Sequence, residues 1–252
     1  MAIAEKPTIA TVKLGNLEVS RFIIGGNPFS GFGHQDEKLG VTTCIARTDK
    51  HITRLMREYR EEGGTIQWIG QTAGEYGPAT TGARIAINNG AKACFVHGGV
   101  ADHLYHGGDM SEVKAAVDML HDAGLPAGMA GHQPVVFEWA EEHLNCDFYM
   151  CSYYNPTSRE QTGLHVTQHE RFHQDDREKM TALIQKLTKP VIHYKVLAAG
   201  RNNPKEALAI VAKTMRPTDA VCVGIFTKHR PNEMAEDIAY LKEGLKAVGQ
   251  EG

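Results

Sequence analysis

Several features that would place this chain in a specialised class are missing from its sequence. No apolar run approaches the roughly 18 residues that a membrane-spanning helix needs, and residues 1–6 lack the pattern of a signal peptide. The formal net charge is only −3, and Lys and Arg are spread along the chain, so there is no basic footprint for nucleic acid. We therefore expect a cytoplasmic protein that binds a small molecule and neither a membrane nor a nucleic acid. Homo-oligomer formation stays open.

Cysteine pairs and glycine-rich nucleotide motifs are missing as well. The five cysteines form an odd set without a C-x-x-C spacing, and most lie in apolar, strand-like runs. We therefore predict buried, reduced thiols. The glycine pairs at 98–99 and 107–108 fit neither a P-loop nor a dinucleotide fingerprint.

What the chain does contain is a series of eight short apolar runs alternating with helical patterns. The clearest run starts at a Lys-Pro turn, ends in His193, Tyr194 and Lys195, and precedes a glycine-containing loop. Buried parallel strands with polar ends, joined by helices over 252 residues, are typical of a (β/α)8 barrel. We predict a single TIM-barrel domain over 1–252, with an N-terminal hairpin at 11–19 and a long loop at 157–174 over its mouth.

The carboxyl ends of barrel strands meet at one mouth, so polar residues at those ends predict the site. His193 and Lys195 have the same parity on the seventh strand, and we expect them to converge with His97 of the fourth. With Tyr154, these are the catalytic candidates. The substrate-binding candidates at or near the other strand ends are Asn27, Arg47, Asp49, Gln71, His132, Asn155 and Arg201.

Two mechanisms fit that set of side chains. The histidines His97, His132 and His193, with a carboxylate such as Asp49, could bind a divalent metal, although no tight ligand motif is present. Alternatively, Lys195 could serve as a base or form a Schiff base while Tyr154 or His97 moves protons. Each of these side chains could also be structural.

Four stretches resemble the aldo-keto reductase superfamily in their order along the chain. They are LGNLEVSR at 14–21, FVH at 95–97, MCSYYN at 150–155 and YKVLAAG at 194–200. The last is similar to that family's seventh strand and the loop after it. The resemblance implies a TIM barrel, a carbonyl substrate and a nicotinamide cofactor.

The resemblance also implies where catalytic residues should lie. That family uses an Asp and a Tyr after the second strand, a Lys on the third and a His on the fourth. His97 matches the histidine, but the third strand ends in Gln71, and Arg47-Thr48-Asp49 follows the second. Aligning TAGEYG at 72–77 with the tyrosine motif leaves too little chain for a third strand before the fourth-strand histidine. The chain is therefore identified as a divergent member with most of the catalytic tetrad replaced.

One basic segment near the end of the chain is similar to the part of that family which binds the cofactor. Lys228 and Arg230 precede the last helix, where that family holds the adenosine phosphate. A solvated turn, or a site for a phosphorylated substrate, fits the same residues.

Taken together, these patterns predict an enzyme that acts on a small carbonyl or sugar-like substrate by acid–base or metal-assisted chemistry, of the isomerase, lyase or hydrolase type. The alternatives are an NAD(P)H-dependent reductase and a non-catalytic ligand-binding barrel. The cofactor stays open between a divalent metal, NADP(H) and none.

Overall fold

Eight parallel strands close into a barrel in this computed structural model, which describes residues 9–26, 41–74, 77–155, 172–225 and 230–250. The strands neighbour one another in chain order, and the last pairs with the first. They are β3 (Phe22–Gly25), β4 (Thr43–Arg47), β5 (Gln67–Gln71), β6 (Ala93–Val96), β7 (Ala127–Gly131), β8 (Phe148–Ser152), β9 (Val191–Tyr194) and β10 (Ala220–Gly224). The predicted (β/α)8 fold is confirmed.

Helices cover the outside of the barrel. Within the described ranges they are α1 (Lys50–Glu61), α2 (Ala79–Asn88), α3 (Gly98–Gly107), α4 (Ser111–Asp122), α5 (Pro134–His143), α6 (Gln174–Ile184), α7 (Pro204–Thr214) and α8 (Glu233–Ala247). Local sequence explains several helix starts. Asp49 accepts a hydrogen bond from the Ile52 amide at 2.9 Å and so caps α1, and Asn203 caps α7 just before Pro204. None of the helices in this part of the chain is both long and apolar enough to cross a membrane.

A hairpin precedes the barrel, as predicted. The strands β1 (Thr11–Leu14) and β2 (Leu17–Ser20) pair antiparallel around a turn in which Gly15 has a φ of +59°, a conformation that suits glycine. Val12, Leu14 and Val19 belong to the same apolar cluster as the lumen residues of the barrel. The hairpin therefore extends the lumen core rather than lying apart from it.

The strand side chains divide into two apolar layers. The lumen layer includes Ile23, Ile45, Ile69, Phe95, Phe148, Met150 and Ile192. A larger layer lies between the strands and the helices and includes Trp68, Met129, Tyr149 and Val191. Because strand side chains alternate in direction, a residue's place in the strand decides which layer it joins. All five cysteines are buried and unpaired, as predicted.

The structure differs from the predicted elements at one place that matters for the site. Two helices, α3 and α4, follow β6, whereas the sequence indicated only the second. The helix α3 extends from the glycine pair at 98–99 to the pair at 107–108, and Gly108 caps it in the left-handed conformation. Asn27, Lys228 and most of the predicted loop at 157–174 lie outside the described residues.

Candidate functional site

A cavity of about 710 Å³ opens at the carboxyl ends of the barrel strands. Its floor is apolar and formed by lumen residues: Ile45, Phe95, Ala130, Met150 and Cys222. Above the floor it is lined by polar side chains: Gln71, His97, His132, Tyr194, Lys195 and Glu233. Four residues predicted for the site, Gln71, His97, His132 and Lys195, thus line one cavity at the barrel mouth.

Two buried side chains, Asp102 and His132, and the partly buried Tyr194 form a hydrogen-bonded chain in the wall of this cavity. The Nδ1 atom of His132 lies 2.6 Å from Oδ2 of Asp102, and the His132 amide donates to Oδ1 of the same carboxylate at 3.2 Å. The Nε2 atom of His132 lies 3.1 Å from the hydroxyl of Tyr194. His132 is 3% exposed and Asp102 is fully buried, so solvent does not compete for these bonds.

The hydrogen-bond partners determine where the protons lie in this chain. An ionised carboxylate only accepts, so Nδ1 of His132 carries a proton that it donates to Asp102. In the neutral imidazole, Nε2 is then an acceptor and takes its hydrogen bond from the Tyr194 hydroxyl. Burial, helped by the negative charge of Asp102, raises the pKa of Tyr194 well above its usual value. Tyr194 is therefore a protonated phenol that faces the cavity with a histidine behind it.

Three different elements supply the members of this chain. Asp102 lies on α3, His132 directly follows β7, and Tyr194 ends β9. Gly98, one turn before Asp102 on α3, packs so closely that a Cβ there would lie 3.0 Å from His132 Cε1 and 3.1 Å from the Tyr194 hydroxyl. A side chain at this position would therefore crowd His132 and Tyr194 unless they shifted by a few tenths of an ångström.

His97 and Lys195 also line the cavity. His97 precedes α3, where its carbonyl accepts from the amides of Val100 and Ala101, and its own amide donates to Thr72 Oγ1 at 3.0 Å. Lys195 follows β9 with a φ of +59°, and its Nζ lies 5.8 Å from the centre of the Tyr194 ring. A lysine in the left-handed region is strained by about 1 kcal/mol or more, which is common at functional sites.

The expectation that His193 converges with Lys195 at the mouth is wrong. Ile192 and Tyr194 face the lumen, so Val191 and His193 face the helices. The strand ends at Tyr194, and the left-handed turn at Lys195 breaks the alternation on which the expectation relied. Equal parity therefore did not bring the two side chains together.

His193 instead belongs to a fully buried network behind the strands. Its Nδ1 lies 3.0 Å from the Tyr153 hydroxyl, and its Nε2 lies 3.3 Å from Oδ2 of Asp219, which Arg216 also contacts. Burial alone would raise the pKa of Asp219, but hydrogen bonds from His193 and Arg216 lower it to about 2. This network joins β8, β9 and the start of β10.

Tyr154 and Arg201 contribute to the rim of the cavity rather than to its lumen. Both contact Phe172, a lining residue: the Tyr154 ring lies edge-on at 5.4 Å, and the Arg201 guanidinium lies 4.6 Å from the Phe172 ring centre. The Tyr154 hydroxyl accepts from Asn202 Nδ2 at 2.8 Å. The amide of Asn155 donates to Asp176 at 3.2 Å, at the start of α6.

The metal-site hypothesis gains no support from the positions of its candidates. His97 and His132 line the cavity, but His193 does not, and both ring nitrogens of His132 have protein partners. Asp49, the proposed carboxylate, caps α1, and neither it nor Arg47 is among the described lining residues. Among residues with a described position, no group of three or more His, Cys, Asp or Glu side chains is placed to hold a metal ion.

The predicted phosphate anchor lies in an acidic setting. Arg230 forms ion pairs with Glu236 at 2.5 Å and with Glu233 at 3.7 Å. One turn along α8, Asp237 is buried with no hydrogen-bond partner for its carboxylate among the described atoms. Burial, together with the charge of Glu233, raises the pKa of Asp237 to about 7. These carboxylates offset the positive charge that a phosphate would need.

Sequence reasoning missed Asp102 and the role of Tyr194. Asp102 lies on α3, away from the strand ends at which the sequence predicted the site. Tyr194 lies in the strand from which catalytic candidates were predicted. The alternation assigned to that strand directed His193 and Lys195, rather than Tyr194, towards the lumen. Assigning the apolar Ile192 to the lumen would have placed Tyr194 at the mouth.

Comparison with known proteins identifies the fold and no family. No model of a protein family matches the chain, and no curated protein is significantly similar to it. Among solved structures, a presumed aldo-keto reductase of Pseudomonas aeruginosa is similar with 15% identity and a TM-score of 0.66, over 97% of this chain and 100% of that one.

Other similar structures have different activities in their names. A truncated 3-deoxy-D-arabino-heptulosonate 7-phosphate synthase of Thermotoga maritima has 12% identity and a TM-score of 0.60, over 97% of this chain and 95% of that one. An N-acetylmannosamine-6-phosphate 2-epimerase of Clostridium perfringens has 14% identity and a TM-score of 0.54, over 86% and 91%. At such identities the likeness establishes the barrel alone.

Proposed function

We propose that this protein is an enzyme that catalyses acid–base chemistry on a small carbonyl or sugar-like substrate at the mouth of the barrel. The observation that carries the proposal is the hydrogen-bonded chain from Asp102 through His132 to the Tyr194 hydroxyl, which ends in the cavity. A phenol that faces a cavity and is backed by an oriented histidine is suited to donate a proton to a carbonyl oxygen.

Each member of the chain has a separate task in this proposal. Tyr194 donates its proton to the substrate oxygen and regains one from solvent, and Nε2 of His132 orients the Tyr194 hydroxyl through their 3.1 Å contact. Asp102 is a positioning residue, because its two contacts orient the imidazole and fix its tautomer. His97, on the neighbouring strand end, is available to exchange a proton with the carbon or the hydroxyl beside the carbonyl.

The proposal can be tested without knowing the natural substrate. Acid–base activation of a carbonyl compound exchanges the hydrogen on the adjacent carbon with solvent. The purified protein is incubated in D₂O with a panel of small aldehydes, ketones and hydroxyketones, and deuterium incorporation is followed by NMR. We expect catalysed exchange for at least one compound, and a decrease of about 10²-fold or more in Tyr194→Phe, which loses only the hydroxyl.

Tyr149→Phe provides the matched control for this experiment. Tyr149 is also buried, but it lies in the layer between the strands and the helices and does not line the cavity, so this variant makes the same chemical change away from the site. It should exchange at the wild-type rate. If the wild type and Tyr194→Phe exchange equally slowly with every compound, the proposal is wrong, and a non-catalytic ligand-binding barrel becomes the better account.

A nicotinamide-dependent reductase is the second candidate. The resemblance to aldo-keto reductases and the position of His97 at the end of the fourth barrel strand favour it. On this reading the catalytic tetrad has diverged, since Gln71 ends the third barrel strand where that family has a lysine. The acidic surroundings of Arg230 count against a phosphate anchor there. A fluorescence titration with NADPH and then NADH separates the two candidates, because only the reductase requires saturable binding at micromolar concentrations.

A further inference from the structure

We propose that Lys195 forms a covalent imine with the carbonyl substrate at the barrel mouth. This inference rests on the proposed function and deepens it, because it names the class of intermediate and restricts the substrate to an aldehyde or a ketone. Lys195 has no role in the proton transfers proposed for Asp102, His132 and Tyr194. The amine of Lys195 lies 5.8 Å from the ring centre of Tyr194, the residue that donates the proton that imine formation needs.

The first argument is the fixed position of Lys195. Its backbone is left-handed, with a φ of +59°, and its carbonyl accepts a hydrogen bond from the Ala198 amide at 2.9 Å. Ala198 and Ala199 are left-handed too, so three non-glycine residues within five are strained at the mouth. Such strain persists only where surrounding contacts impose it, and it is concentrated at functional sites. This turn holds the lysine over the Tyr194 ring rather than along the strand.

The second argument is the polarity of the cavity beneath the amine. The floor is made of apolar side chains and Cys222, and burial raises the pKa of the Cys222 thiol to about 12. An apolar surface disfavours the ammonium form of an amine that lies against it, because the charged form loses water there. A neutral amine is the form of lysine that attacks a carbonyl.

The covalent step balances with the groups present. The Lys195 nitrogen attacks the carbonyl carbon, a C–N bond forms, and the carbonyl π electrons move to the oxygen. That oxygen receives one proton from the amine and one from the Tyr194 hydroxyl, and the C–O bond breaks to release water. A protonated imine and a Tyr194 phenolate are left, and the phenolate regains its proton from solvent. The imine then acidifies the hydrogen on the adjacent carbon, which is the hydrogen that the exchange experiment follows.

Reductive trapping tests this inference. The wild-type protein is incubated with propanal, glycolaldehyde or hydroxyacetone in the presence of sodium borohydride, and the adduct is located by peptide mass spectrometry. We expect one predominant adduct, on Lys195, and at least a tenfold decrease in total labelling in Lys195→Arg. Tyr194→Phe should slow trapping at Lys195, because the departing oxygen loses its proton donor.

Lys205→Arg provides the matched control. Lys205 also lies over a tyrosine ring, with its Nζ 5.9 Å from the Tyr240 ring centre, but it is exposed at the surface and pairs with Glu243. Its substitution should leave the labelling unchanged. Adducts spread over the surface lysines, or equal labelling in Lys195→Arg, would overturn the inference. If Lys195→Arg keeps the solvent exchange that Tyr194→Phe loses, the acid–base function stands and only the imine fails.

Discussion

Tyr194 and His193 are neighbours in the sequence, and the pleat of β9 turns their side chains to opposite sides of the barrel wall. Tyr194 meets His132 in the cavity, whereas His193 meets Tyr153 and Asp219 behind the strand. Each histidine has a carboxylate partner, but only His132 lines a cavity. At the scale of single residues, the direction of a side chain therefore separates a candidate catalytic group from a structural one.

Asp102→Asn tests the positioning role at this scale. An amide at position 102 can donate to Nδ1 of His132, which would move the imidazole proton to Nε2 and remove the acceptor for Tyr194. We expect solvent exchange to fall by about 10²-fold, with a changed pH profile. The ¹⁵N chemical shifts of His132 should report the change of tautomer, which a purely structural role would not produce.

Asp118→Asn is the control for that substitution. Asp118 pairs with Lys114 on the exposed face of α4, so the variant makes the same chemical change far from the cavity. It should behave like the wild type. Normal exchange and an unchanged His132 tautomer in Asp102→Asn would refute the positioning role.

At the scale of elements, α3 decides whether the site exists. It begins with Gly98 against His132 and Tyr194, and one turn later it supplies Asp102. Because β6 is followed by this additional helix, a residue far from any strand end reaches the mouth. The N-terminal hairpin contributes to the core rather than to the site, because its apolar residues pack into the lumen cluster.

Leu14→Ala tests the hairpin's contribution to stability. Leu14 is fully buried in the lumen cluster, and truncating a buried leucine leaves a cavity that costs about 2–5 kcal/mol. Urea denaturation should show this loss in the free energy of unfolding. Val135→Ala, at a site 40% exposed, should change it by less than about 0.5 kcal/mol. Equal stability of the two variants would mean that the hairpin does not stabilise the barrel.

At the scale of the whole molecule, the buried network around Asp219 predicts acid sensitivity. The pKa of Asp219 falls from 3.8 to about 2, so the folded state holds its carboxylate ionised where the unfolded chain is protonated. The contribution of Asp219 to the stability of the folded state is therefore complete above about pH 4 and is lost as the pH falls towards 2. The shift corresponds to on the order of 2 kcal/mol.

Urea denaturation between pH 5 and pH 2 checks this prediction. The wild type should lose stability through that range, and Asp219→Asn should be less stable at pH 5 with a smaller further loss on acidification. Parallel curves for the two proteins would show that Asp219 is not responsible. The same measurements test the single-domain prediction, which requires one cooperative transition.

Local patterns in the sequence were sufficient to predict the barrel, its hairpin and the strand ends that form the mouth. Apolar runs, helix caps such as Asp49 and the glycine turn at Gly15 act over a few residues, so they can be recognised in the sequence. His97, His132, Gln71 and Lys195 were selected on this basis, and all four line the cavity.

Only the tertiary structure decided which of the polar side chains act together. His132 lies 30 residues after Asp102, and Tyr194 lies 62 residues after His132. No local pattern encodes contacts over such separations. The left-handed turn at Lys195 ended the alternation that had grouped it with His193, and an unpredicted helix brought Asp102 to the site. The fold follows from short-range patterns, whereas the chemistry depends on side-chain directions that are set when the barrel closes.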